Sequence, residues 1–140
     1  MTDEGPGSAP LYHAVAGSLS AGTAQTPGMT RLAAISGDRA GSRQIWMGET
    51  RVGPGVRSAD HHHGESETAI FVVAGHPAFV YLDRGVETRI ETSPGDFVFV
   101  PPFAPHREEN PAADEEAVVV IARSTQEAIV VNLPGLDSRT

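Results

Sequence analysis

The sequence predicts an all-β fold, an antiparallel sandwich or jelly-roll barrel. Three observations carry that reading. Eight or nine short segments, apolar or alternating, recur at roughly even spacing along the 140 residues. Fifteen glycines and eleven prolines cut the chain into pieces too short for long helices. No segment shows a convincing amphipathic helical pattern, and regularly spaced short strands with turn signals between them are what such barrels need.

Taken in order, residues 1–28 are rich in Gly, Ala, Ser, Thr and Pro and read as a flexible N-terminal arm. Leu11 to Val15 is a possible edge strand within it. Residues 29–140 read as one barrel domain. A weak apolar pattern from Met29 through Leu32 and Ile35 predicts a first strand, ended by Gly37-Asp38. Gln44 to Val52 predicts a second, followed by the turn Gly53-Pro54-Gly55. Thr68 to Val73 is β-branched and apolar, as a buried strand should be. Gly75-His76-Pro77 breaks it before Ala78 to Leu82. Asp83-Arg84-Gly85 is a hairpin turn into Val86 to Thr92, and Ser93-Pro94-Gly95-Asp96 turns into Phe97 to Val100. Residues 107–116 are polar and acidic and read as a loop. Ala117 to Ala122 and Ala128 to Leu133 are the last strands, with a single helical turn at most over Ser124 to Glu127.

Composition narrows the function classes. At 39% hydrophobic and 20% charged, the chain has the balance of a globular protein long enough to bury a core. A formal net charge of −8 with scattered arginines and no lysine argues against nucleic-acid binding. There is no cysteine, so disulfides and thiolate metal sites are excluded. The start MTDEGPGSAP lacks a signal-peptide pattern, and no apolar run approaches the ~20 residues that span a bilayer, so a cytoplasmic protein without membrane association is expected.

The chemistry concentrates in two stretches, GVRSADHHHGESETAIFVVAG (55–75) and GDFVFVPPFAPHREEN (95–110). On an extended segment side chains alternate, so His61 and His63 point one way and His62 the other. Glu67 from the next strand and His106 from a distant one can complete a nitrogen- and oxygen-rich metal site. A solvated His tract is the competing reading for HHH alone, and it loses ground because both stretches are in register. These stretches resemble the paired motifs of the cupin superfamily, G-x5-H-x-H-x3/4-E-x6-G and G-x5-P-x-G-x2-H-x3-N. Gly55, His61, His63 and Glu67 fit the first, with the closing Gly75 one residue late. Gly95, Pro101, His106 and Asn110 fit the second, with Phe103 standing in place of its glycine. The resemblance covers about residues 44–133. It implies a cupin-type jelly-roll barrel that holds one divalent metal (Zn, Fe, Mn or Ni) through His61, His63, Glu67 and His106, and it implies a homodimer.

Around that site Trp46, Phe71, Phe99 and Phe103 are the candidate substrate-pocket residues, and His76 and Tyr81 the candidate catalytic groups, although His76 also reads as a plain turn residue. Glu108 and Glu109 read as solvated. Three nitrogens and a carboxylate leave positions at the metal for a small-molecule substrate. The preferred expectation is redox-neutral proton transfer, of epimerase or isomerase type, on a carbonyl- or carboxylate-bearing metabolite of specialised metabolism. The alternatives are an Fe(II)- or Ni(II)-dependent dioxygenase and a non-catalytic small-ligand-binding module. Dependence on oxygen separates the first two, and turnover separates both from the third.

Overall fold

A computed structural model describes residues 11–125 and 129–138. Its elements are β1 (Thr30–Ile35), α1 (Gly37–Ala40), β2 (Trp46–Val52), β3 (His61–His62), β4 (Thr68–Ala74), β5 (Ala78–Asp83), β6 (Val86–Glu91), β7 (Phe97–Val100), β8 (His106–Glu109), β9 (Ala117–Arg123) and β10 (Val131–Asn132). They form two five-stranded sheets, ordered β1-β2-β9-β4-β7 and β10-β3-β8-β5-β6, with every pairing antiparallel. The expected all-β, jelly-roll architecture is therefore what the chain adopts. Among the described residues no helix is long and apolar enough to cross a membrane.

Strand alternation decides what faces inward. β9 reads Ala-Val-Val-Val-Ile-Ala-Arg, and it buries Ala117, Val119, Ile121 and Arg123 while the intervening residues lie half out. β2 buries Trp46, Gly48, Thr50 and Val52 by the same period, and β4 buries Thr68, Ile70 and Val72. Ala33, Trp46, Ile70, Val72, Val100, Val119 and Ile121 of the first sheet close on Phe79 of the second to make the apolar core. The apolar part of the interior is thus continuous between sheets, as a two-layer fold requires.

Four local outcomes differ from expectation. Residues 107–109 are strand, not loop. His106–Glu109 is a central strand of the second sheet, between β3 and β5, and tertiary pairing overrides its polar composition. Arg107 and Glu109 then form ion pairs with Asp60, Glu87 and Arg89 on the outward side. A one-turn helix, α1, follows β1, where the Ser36 side chain accepts from the Arg39 N–H at 3.2 Å and Gly41 closes it in the left-handed conformation. In the arm, the bridge to β1 falls at Ser20, opposite Ala33, and not at Leu11 to Val15; residues 1–10 lie outside the described residues. The last strand is the short β10, and part of the expected helical turn also lies outside them.

Asn110 fixes how the histidine segment enters. Its buried side chain donates to the carbonyls of Val52 (3.0 Å), Gly53 (3.2 Å) and Glu115 (2.7 Å) and accepts from the Ala112 N–H at 3.1 Å. Its backbone pairs with Gly55 and Val56, so the turn before β3 is clamped to the end of β8. Removing one side chain would leave several buried carbonyls unsatisfied. Asn110→Ala is expected to lower stability by about 2–4 kcal/mol, read as a reduced midpoint in urea or thermal unfolding followed by circular dichroism; a change within the error of the measurement would show that the clamp is dispensable.

Candidate metal centre

His61 lies on β3, directly paired with His106 on β8, and His63 follows in the turn after β3. Cα partners in an antiparallel pair point to the same face, so the register itself aims His61 and His106 inward. His63 joins them by alternation. One ring nitrogen from each comes within 4.8 Å of the others, and all three side chains are buried. The ring centroids stand 4.4 Å (His61–His106), 5.0 Å (His61–His63) and 5.1 Å (His63–His106) apart.

The backbone sets the tautomers. Nδ1 of His61 lies 2.7 Å from the Ala59 carbonyl oxygen, Nδ1 of His63 2.9 Å from that of Ile129, and Nδ1 of His106 3.0 Å from that of Ala104. A carbonyl only accepts, so each Nδ1 carries the proton and each Nε2 keeps its lone pair. Nη2 of Arg31, which can only donate, stands 3.5 Å from Nε2 of His61, in keeping with that assignment. Backbone-anchored Nδ1–H groups and converging Nε2 lone pairs are the arrangement a metal ion needs. Burial pushes all three imidazoles toward the neutral form. His106 drops to about 4; His61 and His63 are also held well below the ordinary imidazole range, with His106 and Arg31 adding to the effect at His61 and Arg123 and His106 at His63. Neutral imidazole is the ligating state. The donor set therefore fits a divalent metal.

Two turns hold the ligand segments together. The Phe103 N–H, before β8, donates to the Gly64 carbonyl, after β3, at 2.8 Å. Gly64 has φ +56, and a Cβ there would come within 2.8 Å of Ile129 Cγ2, so the position requires glycine. Phe103 has φ +60 without being glycine, a conformation costing about 1–2 kcal/mol that the surrounding turn must hold. His62, on the opposite side of β3, is buried beneath Phe103 with ring centroids 5.7 Å apart, and its Nδ1 accepts from the Gly64 N–H at 2.9 Å. It takes part in the turn, not in the histidine group.

Glu67 does not join the group. Its side chain is exposed, and its main chain exchanges hydrogen bonds with Ser124 at the end of β9. Thr68, the next residue, is the one whose side chain β4 buries in line with the histidines. The signal was in the sequence: leaving six intervening residues before the late Gly75 puts the carboxylate position at 68, and the motif tolerates four residues after its second histidine. The carboxylate position of the pattern is thus filled by a hydroxyl.

The interior beside the histidines is lined by Arg31, Thr50, Thr68, Glu108 and Arg123, with Phe79, Ile70 and Ile121 closing it. Sequence reading missed these polar residues. Glu108 was legible only to a reader who continued β8 past His106, since two residues on returns to the same face. Its buried carboxyl is pushed up to about 8 by desolvation, against the pull of Arg31, and its Oε2 has no hydrogen-bond partner among the described residues. Arg31 is lowered to about 10 and Arg123 to about 9, both by burial.

The other expected site residues divide. Tyr81 pairs with His106 across β5 and β8 and lines, with Leu82, Ile90, Val98, Phe99, Ala104 and His106, a cleft of about 430 Å³. Phe99 contributes to its rim while remaining largely exposed. Trp46 is buried, but it packs over Arg123 at 5.0 Å and lines a separate cavity with Ser20 and Arg39. Phe71 lies on the outer face, its ring against Phe97 at 4.9 Å, because β4 alternation turns it away from the core. Phe103 is mostly exposed over His62. His76 is exposed, its Nδ1 3.2 Å from the Thr92 carbonyl oxygen, on a surface shared with Arg89, Glu91 and Pro111. It is a turn residue apart from the histidine group.

Two facing antiparallel sheets with three inward, neutral histidines define a small β-barrel of metal-site type. The family description "Cupin domain" matches residues 48–122, more than half of the chain, and the chain belongs to the cupin family. No curated protein matches it. Among solved structures, the polyketide cyclase RemF from Streptomyces resistomycificus is similar at 19% identity and a TM-score of 0.69, over 91% of this chain and 88% of that one. Oxalate decarboxylase from Bacillus subtilis at pH 4.6 is similar at 21% identity and a TM-score of 0.67, over 78% of this chain. This chain spans 28% of the length of that one. A further structure of the decarboxylase, determined in work on its Mn(II) centres, aligns at 20% identity with a TM-score of 0.68 over 79% of this chain and 29% of that one.

Two outcomes follow from this geometry. His106→Ala should abolish metal binding while Glu67→Ala leaves it near wild type, by elemental analysis of protein purified without chelators; loss of metal in Glu67→Ala would restore the carboxylate to the ligand set. For pH, the folded His106 titrates near 4, below its ordinary 6.5, so the unfolded chain takes up the proton first as pH falls. Stability from its neutral burial is full above about 6.5 and is lost as pH falls toward 4, by about 3 kcal/mol at most for this group. Glu108 has the opposite sign, since its raised value removes stability as pH rises from about 4.5 toward 8. Urea midpoints of the metal-free protein between pH 4 and 8 should therefore peak in the middle, and Glu108→Gln should remove the decline above about 6.5 and steepen the rise below it.

Proposed function

We propose that this cupin is a metal-dependent enzyme that moves a proton on a small carbonyl- or carboxylate-bearing molecule, without net redox change, in the manner of an epimerase, isomerase or cyclase. The observation that carries the reading is the juxtaposition of three neutral Nε2 donors with the buried carboxyl of Glu108, whose Oε2 has no hydrogen-bond partner among the described residues, two residues from His106 on the same face. His61, His63 and His106 would hold the ion. When bound, it supplies Lewis-acid polarisation of a substrate oxygen, which acidifies the adjoining carbon. An all-imidazole set suits Zn, Fe or Ni better than Mn, which prefers oxygen donors.

The chain's own groups do the rest. Glu108 accepts a proton from substrate carbon and returns it, either to the opposite face or to another atom. Thr50 and Thr68, whose hydroxyls have no partner among the described residues, are placed to orient substrate oxygens. Free volume beside the histidines is about 20 Å³, against about 430 Å³ in the cleft that shares Phe79 and His106 with it. Only a small reacting group therefore enters the interior, and the apolar body of the substrate lies against Leu82, Ile90, Val98 and Val100, with the Tyr81 hydroxyl as its polar contact. Similarity to RemF at single-domain size supports ring closure as one form of this chemistry. The homodimer implied by the family would cover the outward aromatic face of Phe71, Phe97 and Phe99.

The test is hydrogen exchange at substrate carbon. A panel of 2-oxo acids and β-keto compounds is incubated with the protein in D₂O and followed by NMR. Exchange should proceed equally with and without oxygen and fall by about 10²–10⁴-fold in Glu108→Gln. Turnover that consumes oxygen in proportion to product would replace this reading with the dioxygenase, and binding of panel members without exchange or turnover would replace it with the ligand-binding module.

A further inference from the structure

Opposite the histidines, the inner face of the first sheet carries two arginines that the proposed proton transfer does not use. Arg31 projects from β1 and Arg123 from β9, and both line the same interior space as His61, His63 and His106. They are 1% and 2% exposed. Among the described residues neither makes an ion pair. Nε of Arg31, and Nε and Nη1 of Arg123, are buried without a hydrogen-bond partner. Arg31 has only weak contacts for its remaining donors, the Ala24 carbonyl at 3.4 Å, Met29 Sδ at 3.7 Å and the His61 ring. Trp46 covers one face of the Arg123 guanidinium, whose Nε and Nη1 remain without a partner among the described residues.

Two buried guanidiniums that make no ion pair among the described residues are costly, and their proximity adds repulsion. Glu108 is the one carboxyl among the described residues that line this space, and a single carboxylate does not balance two guanidiniums in any protonation state. A divalent ion on the histidines adds further positive charge, and with Glu67 outside no ligand carboxylate offsets it. What neutralises such a site, and what a guanidinium fork is shaped to receive, is an oxyanion.

We propose that Arg31 and Arg123 form a carboxylate subsite, so that the substrate is a small carboxylic acid whose carboxylate enters between the arginines and the histidines while its apolar body stays in the cleft. This rests on the proposed enzyme for its catalytic meaning and on the arginines alone for binding. The hydroxyls of Thr50 and Thr68 complete the donor ring, Thr68 being the cross-strand partner of Arg123 and Thr50 that of Arg31.

Trp46, the sole tryptophan, reports on Arg123 directly. The metal-loaded full chain is titrated with pyruvate and with its neutral isostere pyruvamide, by calorimetry and by Trp46 fluorescence, alongside Arg31→Gln, Arg123→Gln and Arg123→Lys. Pyruvate should bind at least about 10-fold more tightly than pyruvamide. Each Gln variant should erase that ratio while retaining metal by elemental analysis, and Arg123→Lys should restore part of it. Equal affinity for the two probes in wild type, no binding of pyruvate, or a Gln variant that keeps the ratio overturns the subsite. Because the wild-type ratio needs no mutation, a variant that fails to fold does not block the test. Inorganic phosphate competing as well as pyruvate overturns the carboxylate assignment. Arginine-dependent discrimination in a protein that shows no exchange chemistry would leave the subsite standing and sink the proposed function alone.

Discussion

The period-two pleat of strands closed face to face is the constraint on which the rest of this protein depends. Every second residue of β1, β2, β4, β8 and β9 is forced into an interior that water does not reach freely, whatever its chemistry. Part of that interior is filled by valine, isoleucine and phenylalanine. Beside them the same alternation installs three imidazoles, a carboxyl, two guanidiniums and two hydroxyls. A one-residue slip in β4 would exchange Thr68 for Glu67, and one in β8 would put Arg107 where His106 stands. Register and site chemistry are the same fact seen twice.

Holding that register falls to a few hydrogen bonds between distant segments. Asn110 ties the turn before β3 to the end of β8, and the Phe103–Gly64 hydrogen bond ties the turn after β3 to the turn before β8. The two ligand-bearing segments are thus fastened on both sides of the His61–His106 pair. Carbonyl oxygens of Ala59, Ala104 and Ile129 then choose the tautomers. The tautomers are thus set by main chain, and the segments that carry the ligands are held by main chain together with the Asn110 side chain.

Electrostatics gives the interior its character. Desolvation keeps the histidines neutral and the buried carboxyl reluctant to ionise, and it makes the arginines expensive. Such a cluster is poor as a device for stability, because apolar residues of similar volume would serve better. It is intelligible as a place prepared for charge that arrives from outside: a cation on the histidine side and an anion on the arginine side.

The sequence by itself determined the strands with strong local signals, the turns marked by glycine and proline, and the partnership of His61, His63 and His106 through spaced motifs. Those depend on short-range periodicity and fixed offsets, which a linear text preserves. It misassigned the segment after His106, because a polar strand between two partners looks like a loop until its neighbours are known. It placed Glu67 in the ligand set, because two admissible spacings differ by one residue; the late Gly75 favoured position 68, and the pairing of Thr68 with Arg123 between β4 and β9 decided it. Arg31 and Arg123 lie 92 positions apart along the chain and carry no motif. Tertiary structure alone decided that both face the histidines, since the meeting is set by the sheet order β1-β2-β9 and by the closure of one sheet over the other.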